Sequence, residues 1–394
     1  MVRLEEVFIC YAKRTPIGKL GGIFSGISAP KLAVPLVKDA LEVTGLGPNQ
    51  VDEMIMGCVL PAGQGQAPAR QVAILGGLTN TVCATTINRV CGSGLKAVML
   101  GYQAIRLGDA QVVFAGGMES MTEAPHLLMG SRQGYKFGSV EMKDHSQWDG
   151  LWDPYGQKSM GMYGDLCARE RGITRSRQDL FAAESYRRAR TSWEQGHFAS
   201  EVVPIEVREK KGTIIHHRDE QPFAVEIERL PTLKPAFEKD GTITAGNSSP
   251  INDGAALTVL ASESSLKRYN LKPIARIVAQ ASHAQDPSWF TTAPIECIRK
   301  VLAKAHCAID SIDYFEVNEA FAVVPLIAME DLQIQHDRVN PFGGAVALGH
   351  PIGASGARVM ATLINGLKAH KKKRGLATLC IGGGEASAVV IEIC

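Results

Sequence analysis

Eight short apolar runs punctuate the chain, at 54–57, 84–90, 112–115, 256–260, 274–279, 314–317, 377–381 and 388–393, with glycines gathered mainly at their ends. Runs of this length bounded by turn residues read as buried strands. Between them the period lengthens. Leu95, Val98, Tyr102 and Ile105 recur on one helical face after Gly94, and Val359, Leu363 and Leu367 do so after Gly356. A more polar helical pattern runs from Arg175 through Arg190, with Leu180, Ala183 and Tyr186 as its sparse apolar face. Strands alternating with helices predict an α/β protein whose backbone turns sharply, on glycine, at the strand tips.

The two ends of the chain echo each other. Ala115-Gly116-Gly117-Met118-Glu119-Ser120 parallels Gly382-Gly383-Gly384-Glu385-Ala386-Ser387, and Cys91-Gly92-Ser93-Gly94 takes the place of Gly353-Ala354-Ser355-Gly356. An internal duplication of one α/β unit explains both pairs. The texture changes between 121 and 249, where a stretch rich in Gly, Tyr, Trp and charge (131–158) precedes the polar helix. The expected organisation is an N-terminal half over 1–120, completed by about 250–272, an inserted loop domain over 121–249, and a C-terminal half over 273–394. Insertions at strand tips often carry binding surface.

Composition narrows the function classes. At 394 residues the chain exceeds the size at which one core stops growing. Basic and acidic residues nearly balance, 42 against 40, which removes the electrostatic case for nucleic acid. The run Lys371-Lys372-Lys373-Arg374 follows an apolar helix pattern, where cations suit a helix C-terminus. No apolar stretch approaches a membrane span, no secretory signal opens the chain, and its last residues are not Ser-Lys-Leu, so the expected compartment is the cytoplasm. Nine Cys are scattered without C-x-x-C or zinc spacing. Reduced thiols and no metal are the expectation, which leaves room for a cysteine nucleophile.

Four positions carry candidate chemistry. Cys91 ends a β-type run just before a helix, in Asn88-Arg89-Val90-Cys91-Gly92-Ser93-Gly94-Leu95. There the helix dipole would favour a thiolate, and unpaired N–H groups would serve as an oxyanion hole; otherwise it is a small buried hydrophobe. His350, in Gly349-His350-Pro351-Ile352-Gly353, is held extended by the proline, and is either a base for a thiol or a packing residue. Cys380 precedes Gly382-Gly383-Gly384, whose backbone N–H groups are able to approach a ligand closely; its alternative is a buried Cys at a tight turn. Asn318 follows the strand at 314–317 and either positions a water or carbonyl or simply forms a turn.

Together these segments resemble the thiolase family. Asn88–Leu95, Asn318–Ala322, 343–357 and 380–384 match its signature segments in order and spacing, as do Lys13-Arg14-Thr15-Pro16-Ile17-Gly18 and the stretch 246–254. The resemblance covers essentially the whole chain. It implies a duplicated five-layered α-β-α-β-α thiolase fold with an inserted loop domain, assembled as a homodimer or homotetramer. It implies Cys91 as the nucleophile that becomes acyl-cysteine, His350 as its activator, and Cys380 as the acid/base on the α-carbon of the second acyl group. His350 and a water on Asn318 would form one oxyanion hole, and the amides of Cys91 and Gly382 the other. Ser249, Met160, Phe290 and Phe321 match substrate and CoA positions, the last three being bulky enough to leave room for a short acyl group only.

The segments 149–155 and 289–294 resemble members that join two acetyl-CoA into acetoacetyl-CoA and CoA. The implied partners are therefore CoA thioesters as substrates, with no separate cofactor. A degradative 3-ketoacyl-CoA thiolase acting on longer chains is the alternative, and a non-catalytic relative a third. The chain departs from the family pattern at Ser159, where several relatives carry His, and at Glu385-Ala386 after the glycines. No arginine for the nucleotide stands out, Arg218 and Arg229 being the nearest candidates.

Overall fold

The computed structural model describes residues 5–210 and 212–394. The N-terminal half runs β1 (Val7–Arg14), α1 (Ala29–Thr44), β2 (Glu53–Gly57), α2 (Pro68–Leu75), β3 (Cys83–Ile87), α3 (Ser93–Leu107) and β4 (Val112–Ser120), and is completed by β5 (Asn252–Ser262). Between β4 and β5 lie the helices α4 (Met160–Glu170) and α5 (Arg175–Glu194). The C-terminal half repeats the plan as β6 (Ala275–Ala284), α6 (Ala293–Ala305), β7 (Tyr314–Val317), α7 (Val323–Leu332), α8 (Ser355–Ala369), β8 (Arg374–Ile381) and β9 (Glu385–Ile393).

Strand order exposes the duplication. One half reads β1-β5-β4-β2-β3 and the other β6-β9-β8-β7, and they join where β1 meets β6 antiparallel at Phe8–Arg276 and Ile9–Ala275. All eight expected strands form. The reading missed β1, whose apolar run ends in Lys13 and Arg14, yet β1 is the strand that joins the halves.

Each sheet has two apolar faces because it is covered on both sides. Leu379, Ala377, Val389 and Ile391 face inward onto α3 and α8, while Leu376, Cys380, Ala388 and Val390 face outward onto α6 and α7. In the N-terminal half Val113, Ala115 and Leu260 face the same two inner helices, and Val112, Phe114, Leu257 and Val259 face α1 and α2. The result is five layers, with α3 and α8 sandwiched between the two sheets.

The inner helices approach closely at their first turns. A Cβ added to Gly356 would collide with the backbone nitrogen of Leu95, and one on Gly94 would press on the nitrogen of Ala357. Glycine at these points lets the loops leading into α3 and α8 lie against each other.

The insert leaves and returns at a single strand tip, since Ser120 pairs with Asp253 across β4 and β5. It is tied back by a buried cation: Arg14 donates from Nε to Glu201 at 2.6 Å and from Nη1 to Asp219 at 2.8 Å. Its helix α5 buries Tyr186 and part of Ala183 as expected, but the buried face is turned away from Leu180. Phe181, Ala182, Ser185, Tyr186 and Ala189 point inward, while Leu180 is 65% exposed. The sparse pattern misled because the buried face mixes Gln178, Asp179 and Ser185 with apolar residues, and these three hydrogen-bond to Thr242, Asn247 and Glu319. The basic run behaves as a solvated helix end at Lys371, Lys372 and Lys373, but Arg374 begins β8 and pairs with Glu392.

Replacing Gly356 by Ala should therefore lower stability by roughly 1–3 kcal/mol, as overpacking does, and chemical denaturation with an unchanged m-value would measure it. A neutral effect would show that α3 and α8 have slack at this crossing.

Candidate active site

The strand tips that point the same way carry the chemistry, as the carboxyl ends of strands do in open α/β sheets. Cys91 follows the end of β3, Asn318 follows β7, and Cys380 sits at the end of β8 beside Gly382. His350 arrives on the loop before α8, whose glycine contact with α3 brings it to Cys91.

The nucleophile loop is locally strained. Val90 has φ +45°, a left-handed conformation costly for a β-branched residue. It is held there on three sides: the Val90 amide donates to Asn88 Oδ1 at 2.8 Å, Arg89 N donates to Ser93 Oγ at 2.8 Å, and the Ser93 hydroxyl donates to Val90 O at 2.7 Å. Strain of this kind persists where surrounding bonds over-determine the backbone, and here it turns the next side chain out of the strand line.

A cavity of about 190 Å³ opens over Cys91. Cys91, His350, Gly382, Ser249, Met160, Phe290 and Phe321 all line it, so the structure gathers seven of the nine positions anticipated from sequence. Cys380 and Asn318 do not line it. Both are fully buried behind its wall, Cys380 near enough for the charge of Cys91 to act on it. Phe237, which the sequence did not single out, also lines the cavity, as do Ser248, Ser159, Leu151, Gly161, Ile251 and Ala320. Phe321 makes edge contacts with Phe237 and Phe290, at ring separations of 6.1 and 6.4 Å, which makes an aromatic end wall. Arg218 and Arg229 lie outside it. Arg218 stacks over Phe223, and Arg229 pairs with Glu226 in solvent.

The electrostatics correct one expectation. The thiol of Cys91 is pushed up to about 11 by burial, only partly countered by the N–H groups of Gly382 and of Cys91 itself. Desolvation outweighs the helix terminus, and the resting group is a thiol rather than a thiolate. His350 is pushed down to about 3, first by burial and then by the Arg358 charge, so it rests neutral. Its Nδ1 lies 2.6 Å from Ser355 Oγ, which also lies 2.9 Å from Pro351 O, an oxygen that only accepts. The tautomer with the ring hydrogen on Nδ1 satisfies both contacts, Ser355 Oγ accepting from Nδ1–H and donating to Pro351 O; Nε2 then keeps its lone pair, and it meets no partner among the described residues. A neutral thiol beside a neutral imidazole with an open nitrogen is a base-and-nucleophile pair ready for proton transfer.

Behind His350 a buried network fixes the other parts. Arg358 donates to Asn318 Oδ1 and to Glu316 Oε2, each at 3.3 Å. A guanidinium only donates, so the Asn318 oxygen must face it, and the Asn318 NH2 is left without a partner among the described residues. Asn252 Oδ1 accepts from His350 N at 3.0 Å, and Glu119 accepts from the amides of Val59, Leu60 and Gly353, which pins the His350 loop. Burial raises the Glu119 carboxyl to about 7. Arg358, Ser355, Asn252 and Glu119 were all missed from sequence. Arg358 alone left a signal, a charge interrupting the apolar face of α8 with Thr362 and Asn365 continuing its stripe.

A thiol, an imidazole with one open nitrogen and convergent amides at the tips of a duplicated sheet are the parts of a covalent acyl-transfer site. The chain belongs to the thiolase family, matching the thiolase N-terminal domain over residues 7–264 and the thiolase C-terminal domain over 271–393. It is 46% identical to an acetyl-CoA acetyltransferase of Pseudomonas aeruginosa, over 98% of this chain and 99% of that protein. A probable acetyl-CoA acyltransferase of Staphylococcus aureus is 45% identical over 99% of both. Among solved structures, the Bacillus anthracis acetyl-CoA acetyltransferase superposes with a TM-score of 0.97 at 38% identity, covering all of both chains. The Acat5 thiolase of Ascaris suum in complex with coenzyme A superposes at 0.94 with 40% identity, over 99% of this chain and all of that one.

The raised thiol makes a direct prediction. Inactivation of the enzyme by iodoacetamide should keep rising with pH beyond about 9, past the ordinary thiol range, because the thiolate fraction grows until Cys91 titrates near 11. A rate that levels off near neutrality would mean the amides and helix prevail over burial.

Proposed function

We propose that the protein condenses two acetyl-CoA into acetoacetyl-CoA plus CoA, and runs the reverse thiolysis, through an acetyl-Cys91 intermediate. The observation that carries this is the meeting of Cys91, the open Nε2 of His350 and the Gly382 amide at one short aromatic-walled cavity. The names of the relatives, and the coenzyme A bound in the Ascaris structure, point the same way.

In the first half-reaction His350 Nε2 takes the Cys91 proton as sulfur attacks the acetyl carbonyl. The N–H groups of Cys91 and Gly382 receive the developing oxyanion, and Cys380 gives its proton to the departing CoA sulfur, which leaves Cys380 as a thiolate. In the second, Cys380 takes the α-proton of another acetyl-CoA. Burial pushes its proton affinity well above the ordinary thiol, which matches it to a weak carbon acid. Asn318, its amide oriented by Arg358, holds a water for the enolate oxygen together with His350. The enolate carbon then attacks acetyl-Cys91, and that sulfur leaves and takes back the proton held on His350; the α-proton has restored the Cys380 thiol, which closes the proton count.

Ser249 donates to Ala320 O at 3.0 Å and keeps its lone pairs for the thioester arm. The scheme draws on side chains and amides alone, with CoA thioesters as substrates. Assembly into a homodimer or homotetramer belongs to the same proposal. It is favoured by the edge position of β3 and by the exposed Leu128, Met129, Phe137 and Met142 in the insert. The short cavity favours acetyl over longer acyl groups, against a degradative role.

Replacing Cys380 by Ser should leave acetylation of Cys91 intact by intact-protein mass spectrometry, while condensation falls by roughly 100-fold or more. Condensation near the wild-type rate would remove Cys380 from the role.

Trimming Phe290 to Ala should raise the ratio of kcat/KM for longer 3-ketoacyl-CoA over acetoacetyl-CoA, by about tenfold for the first accommodated methylenes. If the unaltered enzyme already cleaves eight-carbon 3-ketoacyl-CoA as well as acetoacetyl-CoA, the degradative reading replaces this one.

A further inference from the structure

The acid that breaks the family pattern after the glycine cluster has a partner on the opposite half of the molecule. Arg89 Nε donates to Glu385 Oε2 at 2.8 Å, and Arg89 Nη1 donates to Ser282 Oγ at 2.9 Å and Ser387 Oγ at 3.3 Å. Arg89 stands two residues before Cys91, and Glu385 three after Gly382. The pair therefore spans the two loops whose amides converge on the Cys91 sulfur, one from each half of the duplication. Neither residue lines the substrate cavity.

The surroundings make the spacing of these loops consequential. A Cβ on Gly92 would collide with Ile381, and one on Gly382 would crowd Met160 and touch Val90, so the loops are already packed against each other. Between the clamped Arg89 and the sulfur lies Val90, in its strained left-handed conformation. Lys96, on the first turn of α3, feels both the Arg89 and the Glu385 charge, so Glu385 also offsets two cations gathered beside the loop.

We infer that Arg89 and Glu385 form a positioning clamp, which holds the nucleophile loop of one half against the Gly382 loop of the other and so sets how fast Cys91 is acylated. The inference rests on the acetyl-Cys91 reading. The pair is 19% and 35% exposed, so solvent screening keeps its expected contribution to folding small. Its effect lies in geometry, because a donor displaced by a fraction of an ångström from a developing oxyanion loses most of its value.

The test compares full-length Glu385→Ala and Glu385→Gln, by single-turnover acetylation of Cys91 followed by mass spectrometry, with KM for acetyl-CoA and Tm alongside. The Ala variant should acetylate roughly 10- to 100-fold more slowly, with KM within about twofold and Tm within about 4 °C of the original. The Gln variant keeps an amide oxygen to accept from Arg89 Nε and should recover most of the rate. An Ala variant that acetylates at the original rate, a loss that tracks unfolding, or a Gln variant no better than Ala would each overturn the clamp. Failure of the unaltered chain to acetylate at all would instead remove the acetyl-Cys91 reading on which it stands.

Discussion

Every chemical feature of this molecule depends on the close approach of α3 and α8 at their first turns. Two helices can cross so tightly only where neither carries a Cβ, and Gly94 and Gly356 supply that on both sides. The consequence is not mainly stability. Each helix begins where a functional loop ends, so bringing the two N-termini together brings a thiol from one half and an imidazole from the other into one cavity. Duplication alone would have produced two half-sites far apart; the glycine crossing makes them one.

The second constraint is a buried cation. Arg358 is 1% exposed, and it sits against Glu316, with Glu319 and Arg14 near enough to act on its charge. A group buried this deeply is costly unless its partners are fixed. Here the partners include Asn318, so satisfying the charge also orients an amide. The same charge helps keep His350 neutral. One residue thus couples the protonation of the base to the direction of a hydrogen-bond donor.

Sequence pattern revealed the strands well because both faces of each sheet are covered, which makes their runs continuously apolar. It failed on β1, whose run is short and ends in Lys13 and Arg14, and on the face of α5, where hydrogen bonding replaces hydrophobicity. The site divides in the same way. Cys91, His350 and Cys380 stood out as candidates because they are chemically capable residue types set among glycines, but only the resemblance of the surrounding segments attached roles to them. Ser355, Asn252, Glu119 and Arg358 were not, because their roles are contacts between segments distant in the chain, and nothing local distinguishes them from ordinary polar residues. Glu385 was noticed only as an anomaly, and its partner 296 positions away gives it a meaning.

The return of the insert to its point of departure has an evolutionary reading. Because Ser120 and Asp253 face each other across a continuous antiparallel ladder, the core does not register how much chain lies between them. Loop closure grows only slowly with length, so the segment is free to lengthen, shorten or be exchanged without shifting a single strand. What limits exchange is the second attachment: Ala182, Tyr186 and Ala189 packed on Phe342 and Val346 below the His350 loop, and Glu201 and Asp219 closed on Arg14. A lineage that preserves those few contacts can rebuild the rest of the cover over an unchanged catalytic floor, and so diversify what the floor acts upon.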